Sequence, residues 1–476
     1  MKIDRSVIKS YDIRGTYPDQ LDEAFAYLLG KALPGVVSAQ RVAVGHDARL
    51  SSPPLYAALA TGFEQAGSNV VGLGLCPTEL VYYVLGARED FELGVMVTAS
   101  HNPPEYNGFK VVGAGARPVT GETGLGAACG AMEQMRAALP EQPQPPRETV
   151  HVDSDYLDFA LELLGEPPVE DLSVVVDAGN GLGGLLWESL AARLGLEPVR
   201  LNFQPDGRFP AHPPDPTDEV NLVPLVRRVR AEAADIGFAY DGDADRVVMV
   251  LADGHIVDGS ETTACIAHRT LKEEPGCAFG MGQTVSRKAL DYFRGLGLEP
   301  TFVPVGHAKI KSVLRSHPDM AFAGESAGHY YYRDFFSCDS ALLTTLHVLH
   351  LLAEGELAEL IGALPGPWHS PVRQPTIEFG DQDHALEVCR RVALAAVDEW
   401  PEPVEITCEK EGAVMRHCAP DRIREGLSAR VDYADRWFCV RPSGTEPIAR
   451  LTLEARSPEE LEEMRQRLLG LFENLR

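Results

Sequence analysis

Short apolar runs alternate with amphipathic stretches along the first part of the chain. Residues 41–45 and 92–97 are apolar runs that end in polar loops, and a helical pattern at residues 52–66 lies between them. This order of strand, helix and strand is typical of a mostly parallel α/β domain. The order restarts at residues 172–177, which are followed by a glycine-rich turn. Two consecutive α/β units are therefore predicted.

The pattern changes towards the end of the chain. A third run of the α/β pattern appears at residues 235–240 and 246–251, and helices and strands then alternate to about residue 365. In the final hundred residues, the apolar runs 437–440 and 448–453 flank a single loop and precede a helix. Two strands that share one loop and a following helix favour a smaller α+β domain.

The last helix is marked by its start and by its apolar face. Ser457 and Glu460 form a capping box, and Pro458 occupies the first helical position. The apolar face consists of Leu461, Met464, Leu468 and Leu471. A helix with one apolar face is the last element of the predicted α+β domain.

Segments without a strand or helix pattern indicate the domain boundaries. Residues 141–147 are too rich in proline for a core element, and residues 252–254 form a turn between two apolar patterns. We therefore predict three α/β domains with mixed or parallel sheets and one C-terminal α+β domain. Their ranges are 1–150, 151–252, 253–368 and 369–476.

Composition excludes several classes of function. The 476 residues include 43 Lys and Arg against 70 Asp and Glu, which gives a formal net charge of −27 and argues against nucleic-acid and anionic-membrane partners. No apolar run approaches the roughly 20 residues of a membrane span, and the first residues lack a secretory signal. Nine scattered cysteines without a C-x-x-C pair indicate reduced core residues. A cytoplasmic location is expected.

The first polar loop follows the strand predicted at residues 92–97. Ser100 is a candidate nucleophile there, because ligands bind at the carboxyl ends of strands in open α/β sheets. A tight turn at Asn107 and Gly108 could bring Lys110 back towards Ser100. For a lone loop serine, a hydrogen bond to its own loop is the more common role. His101 is a second candidate carrier of a phosphoryl group.

The second polar loop runs from Asp241 to Arg246 between two apolar runs. Asp241, Asp243 and Asp245 would repel one another strongly if they converged without a cation, yet together they offer the hard oxygen ligands that Mg²⁺ prefers. An EF-hand Ca²⁺ loop is excluded because it requires glycine at the sixth position, where Arg246 stands. A solvated turn is the alternative.

The third polar loop contains Glu325 and His329, which could hold vicinal hydroxyls of a sugar. His307 and Lys309 lie upstream of it and add an imidazole and a cation. Taken alone, this loop is better explained as a structural turn.

The fourth polar loop, Arg-Pro-Ser-Gly-Thr-Glu-Pro at residues 441–447, lies between the last two apolar runs. An arginine, two hydroxyls and a glycine that exposes backbone N–H groups are the components of a phosphate clamp. A plain hairpin loop has a similar composition.

These four loops, in this order, resemble the α-D-phosphohexomutase superfamily, most closely the bacterial phosphomannomutase/phosphoglucomutase group. The resemblance extends over nearly the whole chain, from Tyr11-Asp-Ile-Arg-Gly15 to residues 441–447. It implies a heart-shaped four-domain architecture with a central cleft. It also implies an Mg²⁺-dependent isomerase, an intramolecular phosphotransferase that interconverts hexose 1-phosphate and hexose 6-phosphate of mannose, glucose or both. The implied route uses a phosphoserine and a bisphosphorylated sugar, with glucose or mannose 1,6-bisphosphate as activator and a monomer or dimer as the working form.

The resemblance also implies roles for individual residues. The implied catalytic residues are Ser100, Lys110, His307 and Arg14, and which of the last three moves the hydroxyl proton stays open. The implied metal ligands are Asp241, Asp243, Asp245 and a phosphoryl oxygen on Ser100. The implied substrate-binding residues are Tyr11, Arg246, Glu325, Ser326, His329, Arg441, Ser443, Gly444 and Thr445. Because the chain is strongly acidic, its basic site residues, with Lys309, are expected to converge, and residues 369–476 are expected to close over them.

Two departures from the family pattern concern the sugar. The third loop commonly reads Gly-Glu-x-Ser-Gly-His, whereas here Ala327 occupies the serine position and Ser326 precedes it. Gly444 stands where some relatives have asparagine. Neither change affects the nucleophile or the metal ligands. A phosphoglucosamine mutase, a metal-dependent sugar phosphatase and a catalytically silent sugar-phosphate-binding protein remain alternatives.

Overall fold

The structure is a computed structural model that describes residues 3–135, 138–370, 374–400, 402–443 and 447–476. The chain divides into two compact units. The first unit comprises Met1–Asp258 and Ala327–Ala358, and the second comprises Gly259–Ser326 and Glu359–Arg476. The division means that the predicted third α/β domain contributes to both units.

The first sheet of the first unit is mostly parallel, and helices connect its strands, as the alternating pattern predicts. Its strands are β1 Ile13–Thr16, β2 Arg41–His46, β3 Asn69–Leu75, β4 Leu93–Val97, β5 Tyr106–Gly113, β6 Arg117–Pro118 and β7 Glu148–Thr149. Its helices are α1 Glu23–Val37, α2 Ser52–Gln65, α3 Thr78–Ala87 and α4 Gly126–Gln134. The order is β1-β5-β4-β2-β3-β7, with β6 on β5, and only the pairs that involve β5 are antiparallel. β2, α2 and β4 confirm the three elements predicted in this region to within one residue.

Strand β5 brings Lys110 to the loop of Ser100, but not by the predicted turn. Asn107 and Gly108 lie inside β5, where Gly108 is opposite Arg14 of β1. A Cβ at residue 108 would lie 2.1 Å from a backbone oxygen of β1, so only glycine permits this pairing. The prediction of a tight turn at Asn107 and Gly108 was therefore wrong, because the glycine serves a close strand contact.

The second sheet carries the aspartate loop. Its strands are β8 Val174–Asp177, β9 Val199–Leu201, β10 Ile236–Tyr240, β11 Val247–Leu251 and β12 Ile256–Val257, in the order β12-β11-β10-β8-β9. Its helices are α5 Asp153–Leu164, α6 Gly183–Leu194 and α7 Glu219–Glu232. β10 and β11 pair antiparallel, with Tyr240 opposite Val247, so the six residues between them form a hairpin loop at the sheet edge. The sheet continues past residue 252, because β12 pairs with β11.

The next elements complete the α/β part of the chain. They are α8 Gly259–Glu273, β13 Ala278–Gly282, α9 Arg287–Gly295, β14 Thr301–Val303, α10 His307–Ser316, β15 Met320–Gly324, β16 Tyr330–Tyr332, β17 Cys338–Asp339, α11 Ala341–Ala353 and α12 Leu357–Ala363. β13 pairs parallel with both β14 and β15, as expected for an α/β sheet. The hairpin of β16 and β17, together with α11, belongs to the first unit.

The C-terminal domain is an antiparallel sheet covered by two long helices. Its strands are β18 Thr376–Glu378, β19 Glu405–Lys410, β20 Ala413–Met415, β21 Ser428–Asp432, β22 Arg436–Pro442 and β23 Ile448–Ala455. Its helices are α13 Gln382–Glu399 and α14 Pro458–Leu475. Ser457 caps α14 by accepting from the backbone N–H of Glu460, and Met464, Leu468 and Leu471 are buried. The α+β prediction and the one-sided helix are thus confirmed.

Buried polar contacts join this domain to the sheet of β13 and β15 within the second unit. Arg430 donates to the backbone oxygens of Gln283 and Val285 at 2.9 and 2.6 Å. Glu454 accepts from Ser286 Oγ at 2.8 Å. Breaking such contacts without replacement is costly. The expected closure of residues 369–476 stays a prediction.

Glu405 gives this interface a pH dependence. Burial would raise the pKa of this carboxyl, but hydrogen bonds from Arg416 at 2.5 Å and Arg294 at 2.7 Å outweigh burial and lower the pKa from 4.5 to about 2. A depressed folded-state pKa stabilises the fold above about pH 4.5, and the gain is lost as the pH falls towards 2. Glu405→Gln should therefore cost about 2 kcal/mol at pH 7, after allowance for solvent screening.

The measurement is the midpoint of thermal unfolding between pH 7 and pH 3. Wild type should lose stability more steeply than Glu405→Gln on acidification, since only wild type has this carboxylate to protonate. Glu425→Gln is the control, because Glu425 forms an exposed ion pair with Lys410. This variant should have the wild-type thermal midpoint both at pH 7 and on acidification. If the thermal midpoints of wild type and Glu405→Gln fell equally steeply on acidification, the proposed stabilisation by the Glu405 carboxylate would be contradicted.

Two predictions about the chain as a whole can be compared with the structure. All nine cysteines are free and seven are buried, as predicted for reduced core residues. Among the described residues, no helix is long and apolar enough to cross a membrane.

Candidate active site

Ser100 lies just past the carboxyl end of β4. It is buried and has a left-handed backbone with φ of 53°, which costs a non-glycine residue about 1 kcal/mol. Its hydroxyl donates to Asp241 Oδ2 at 2.9 Å across a sequence separation of 141 residues. Its backbone N–H donates to Thr98 Oγ1 at 2.8 Å. The first and second polar loops therefore meet at the Ser100 hydroxyl.

The aspartate loop approaches Ser100 closely because Gly242 has no side chain. A Cβ at residue 242 would lie 2.6 Å from the backbone oxygen of Ser100. Ala244 adopts a positive φ of 57°, and backbone N–H groups of Asp245 and Arg246 donate to Asp241 Oδ1 at 3.1 and 3.2 Å. The loop thus curls around one carboxylate, and the glycine at residue 242 is a geometric requirement.

Asp241, Asp243 and Asp245 fit a divalent cation. One oxygen from each lies within 4.8 Å of the others, and all three side chains are buried. Among the described residues, none donates a hydrogen bond to the buried oxygens Asp243 Oδ1 and Asp245 Oδ1, although buried carboxylate oxygens in folded proteins are normally satisfied. Clustered oxygen ligands with two unsatisfied members are the donor set of a hard cation such as Mg²⁺.

Lys110 offsets part of the negative charge of this cluster. Its Nζ donates to Asp243 Oδ2 at 2.7 Å and to Asp245 Oδ2 at 2.5 Å. Burial would lower the pKa of Lys110, but the three carboxylates raise it above its ordinary value. Burial, and then repulsion from Asp245 and Asp243, raises the pKa of Asp241 well above its ordinary value. Arg246 Nε adds a second positive charge 3.8 Å from Asp241 Oδ2, but two cationic side chains still leave three buried carboxylates with excess negative charge, which again favours a cation.

Arg246 is held by His329 of the third loop. Arg246 Nε donates to His329 Nε2 at 2.8 Å, so His329 carries its proton on Nδ1, which lies 2.9 Å from Asp339 Oδ2. His329, Asp245 and Asp339 also form a group with metal-ligand spacing. A metal there would displace the Nδ1 proton, so the aspartate triad is the better metal site.

Arg14 and His101 contact residues of the Ser100 loop. Arg14 donates to Asn102 Oδ1 and to Asp12 Oδ2, both at 2.6 Å. His101 Nδ1 lies 3.2 Å from Ser100 Oγ, and burial, followed by nearby arginines, holds the pKa of His101 well below its ordinary value. Tyr11 is half-buried just before β1. The Ser100 hydroxyl therefore has a neutral imidazole beside it, and Arg14 contacts Asn102 of the same loop.

The second unit contains the acidic part of the third loop and its upstream partner. Glu325 is buried directly after β15, and its Oε1 lies 3.5 Å from the backbone N–H of Gly306. His307 begins α10 beside that glycine. Ser326 Oγ is 2.7 Å from Thr284 Oγ1. The Ser326 hydroxyl, which lies one position before the serine of the family pattern, is thus hydrogen-bonded to a neighbouring loop of the same unit.

The phosphate-clamp candidates lie in the same unit. The Nε of Arg441 is buried and has no hydrogen-bond partner in the part of the chain that the structure describes. Burial lowers the pKa of its guanidinium, and Glu325 and Glu409 are close enough to oppose this. Lys309 forms an ion pair with Glu409. Ser443 is buried and bonds through its backbone N–H to Ile448 O at 2.8 Å. Gly444 and Thr445 lie outside the described residues.

Three contacts of the site have no counterpart in the sequence motifs. Thr78 Oγ1 donates to Asp243 Oδ2 at 2.6 Å from 165 residues away, Asn102 holds Arg14, and Asp339 holds His329. A threonine at a helix start and an asparagine beside two prolines are common in sequences, so their local context does not predict these contacts. Only the fold brings them to the site.

A serine hydroxyl that is hydrogen-bonded to one of three clustered aspartates, at a strand end of an α/β fold, is an arrangement typical of sites for metal-assisted phosphoryl transfer. Family models agree with this class. Those described as phosphoglucomutase/phosphomannomutase alpha/beta/alpha domains I, II and III and C-terminal domain match residues 5–125, 154–254, 258–367 and 412–471. The chain belongs to the phosphoglucomutase/phosphomannomutase family. This confirms the family, the enzyme class and the fold class predicted from the four loops.

Relatives resemble the chain over almost its full length. It is 34% identical over 462 residues to the phosphohexose mutases of Xanthomonas campestris pv. campestris strain B100, covering 96% of both chains. It is 31% identical to the phosphomannomutase/phosphoglucomutase of Pseudomonas aeruginosa, covering 97% of this chain and 94% of the relative. A crystal structure of a phosphoglucomutase/phosphomannomutase family protein from Burkholderia thailandensis matches with a TM-score of 0.83 at 30% identity, covering 100% and 98% of the two chains.

Proposed function

We propose that the chain interconverts hexose 1-phosphate and hexose 6-phosphate of mannose, glucose or both, with Ser100 as the phosphoryl carrier. The hydrogen bond of Ser100 Oγ to Asp241 carries the proposal, since it puts a serine hydroxyl directly at a carboxylate cluster suited to a cation. Relatives named for mannose and glucose support the choice of sugars. Phosphoglucosamine mutase activity is the alternative outcome.

In the proposed reaction, a sugar hydroxyl attacks the phosphorus of phosphorylated Ser100. A new bond forms between phosphorus and the sugar oxygen, the bond to Ser100 Oγ breaks, and Oγ takes up a proton. The bisphosphorylated sugar then turns around and returns its other phosphoryl group to Ser100. Both transfers use the same serine and the same aspartate cluster, so one site performs the isomerisation.

Asp241, Asp243 and Asp245 would hold Mg²⁺ together with a phosphoryl oxygen on Ser100. When bound, Mg²⁺ supplies positive charge that stabilises the phosphoryl oxygens during transfer. Lys110 provides a further positive charge against the same carboxylates. Arg14 and Arg246, fixed by Asn102 and His329, would orient the transferring group.

A proton must move from the attacking hydroxyl to Ser100 Oγ, and Lys110, His307 and Arg14 are the candidates for assisting this transfer. Lys110 and His307 are the preferred pair: Lys110, which is kept protonated by the aspartates it contacts, would act as the acid, and the His307 imidazole would act as the base. Tyr11, Glu325, Ser326 and His329 are proposed to contact the sugar. Arg441, Ser443, Gly444 and Thr445 are proposed to hold the phosphate that is not transferred.

The proposal includes the partners and setting of the reaction. Ser100 must carry a phosphoryl group before the first turnover, and glucose or mannose 1,6-bisphosphate is the proposed source. Nine free cysteines are consistent with a reducing cytoplasm. The working form is proposed to be a monomer or dimer, and the four domains 1–150, 151–252, 253–368 and 369–476 remain our proposed division of the chain.

A coupled assay with mannose 1-phosphate, glucose 1-phosphate and glucosamine 1-phosphate tests this function. We expect the 6-phosphate of mannose or glucose as product, with kcat/KM at least roughly tenfold above that for glucosamine 1-phosphate, because a site built for a hydroxyl discriminates against an amine. Parallel measurement of inorganic phosphate distinguishes the alternatives. Phosphate release without a 6-phosphate product would identify a phosphatase, and no conversion at all would identify a binding protein.

A further inference from the structure

The loop that carries Ser100 lacks regular structure of its own. It connects β4, which ends at Val97, to β5, which begins at Tyr106. Ser100 within it has a positive φ, a conformation that L-residues keep only where their surroundings impose it. Some other part of the fold must therefore hold this loop.

Arg49 holds the loop through its backbone oxygens. Nη2 donates to the oxygens of Ser100 and Asn102 at 2.7 and 2.6 Å. Nη1 donates to the oxygens of Pro103 and Tyr106 at 2.6 and 3.1 Å. The side chain of Arg49 is fully buried, so it contacts the carrier loop without facing solvent.

Asp47 completes the arrangement on the other side of Ser100. Its Oδ2 accepts from Arg49 Nε at 3.0 Å and from Thr98 Oγ1 at 2.8 Å. Thr98 Oγ1 in turn accepts from the backbone N–H of Ser100 at 2.8 Å. Asp47, Arg49 and Thr98, here called the loop frame, thus fix both the N–H and the C=O of the carrier residue.

A second loop covers one face of this guanidinium. The Phe209 ring centre lies 5.1 Å from Arg49 Cζ, within the range of a cation–π contact. Gly207 permits that approach, because a Cβ there would lie 2.4 Å from Arg49 Cα. Water is therefore kept from the donors that hold the Ser100 loop.

We propose that Arg49 is a positioning residue for phosphoryl transfer, setting the backbone of the Ser100 loop so that Oγ stays aimed at the aspartate cluster. All five N–H groups of the guanidinium are used, four on the loop and one on Asp47. Lysine has three donors and no planar fork, so it cannot reproduce this pattern. The loop keeps one conformation while Ser100 alternates between its free and phosphorylated forms, which is the preorganisation that transfer requires.

Arg49→Lys tests the proposal against a matched control, Arg430→Lys. Arg430 is equally buried and also donates hydrogen bonds to one aspartate and to backbone oxygens. Those backbone oxygens belong to Gln283 and Val285, which lie outside the Ser100 loop. Both variants lose similar buried hydrogen bonds. Only Arg49→Lys is expected to lower kcat, by about 100-fold, which is the cost of misplacing a reacting group by about 1 Å.

Three readouts are measured on the full chain: kcat and KM for the sugar phosphate found active in wild type, the thermal midpoint, and phosphorylation of Ser100 by intact mass. We expect Arg49→Lys to keep KM within about threefold while kcat falls, because the loop frame does not contact the sugar. Arg430→Lys should keep kcat within about twofold at a comparable thermal midpoint. Equal kcat in the two variants, or a kcat loss that only follows the thermal midpoint, would overturn the proposal.

If Arg49→Lys does not fold, Thr98→Val and Thr98→Ser decide the question, because they change the same frame by single atoms. Thr98→Val should lower kcat at least about tenfold, whereas Thr98→Ser keeps the hydroxyl and should restore most of it. If Thr98→Val kept the wild-type kcat, the proposed role of the loop frame in positioning Ser100 would be refuted. The inference rests on the proposed function, which fails separately if wild type converts no hexose phosphate.

Discussion

Ser100→Ala is expected to reduce mutase turnover by about 10⁴-fold or more, to the background of the assay. The variant removes the atom that carries the phosphoryl group, so both transfers lose their common intermediate, and losses of this size follow removal of a covalent nucleophile. Binding should persist, because the residues proposed to hold the sugar and the second phosphate are unchanged. The measurement is the coupled assay, combined with intact mass after incubation with glucose 1,6-bisphosphate.

Ser38→Ala is the matched control for this variant. Ser38 also has a left-handed backbone, with φ of 55°, but it lies at the end of α1. Both substitutions exchange serine for alanine at the same backbone conformation, so an effect of alanine in that conformation would appear in both. Turnover of Ser100→Ala close to that of Ser38→Ala would refute Ser100 as the carrier. A mass increase of one phosphoryl group that persists in Ser100→Ala would identify another carrier, for which His101 is the nearest candidate.

The sequence predicts those parts of the fold and site that depend on neighbouring residues. The apolar runs that form β2, β4 and β10, the cap at Ser457 and the aspartates between β10 and β11 are all properties of short segments. Such segments are determined by hydrophobic periodicity, helix capping and repulsion among adjacent carboxylates, which are local effects. The four loops therefore indicate the class of chemistry from their residue types and order alone.

The remaining parts depend on contacts between distant segments. Arg49 meets Ser100 across 51 residues and Thr78 meets Asp243 across 165, and neither pair has a recognisable local pattern. The Asn-Gly pair at residue 107 illustrates the opposite failure, because a sequence that commonly forms a turn is placed in β5 by its pairing with β1. Tertiary packing overrides local preference there, and periodicity alone cannot reveal it.

The division of the chain into compact units is also set by tertiary contacts. The boundary falls between Ser326 and Ala327, inside the third polar loop. Glu325 therefore belongs to one unit and His329 to the other, although they lie in one short segment of the sequence. Composition and turn patterns predict where a domain ends along the chain, but they do not show which domains share buried contacts.

Asp243→Asn is expected to lower kcat by roughly 10²- to 10³-fold, the range for losing one preorganised electrostatic group at a reacting centre. Asparagine keeps the size of the side chain and one oxygen acceptor for Thr78 and Lys110, so the fold should persist. It removes a full negative charge from the cluster, which should weaken binding of a divalent cation and raise the Mg²⁺ concentration for half-maximal activity at least about tenfold.

Mg²⁺ titration of chelator-treated enzyme measures this effect, with Asp177→Asn as the control. Asp177 is equally buried at the end of β8 and accepts from Asn202 Nδ2 at 2.9 Å, but it lies outside the triad. Its variant should keep the wild-type Mg²⁺ requirement. Full activity of chelated wild type, or identical Mg²⁺ curves for Asp243→Asn and Asp177→Asn, would reject the triad as the metal site. A shifted curve for Asp243→Asn alone would instead explain why no described residue donates a hydrogen bond to the buried oxygens Asp243 Oδ1 and Asp245 Oδ1, because both oxygens would then be ligands of the cation.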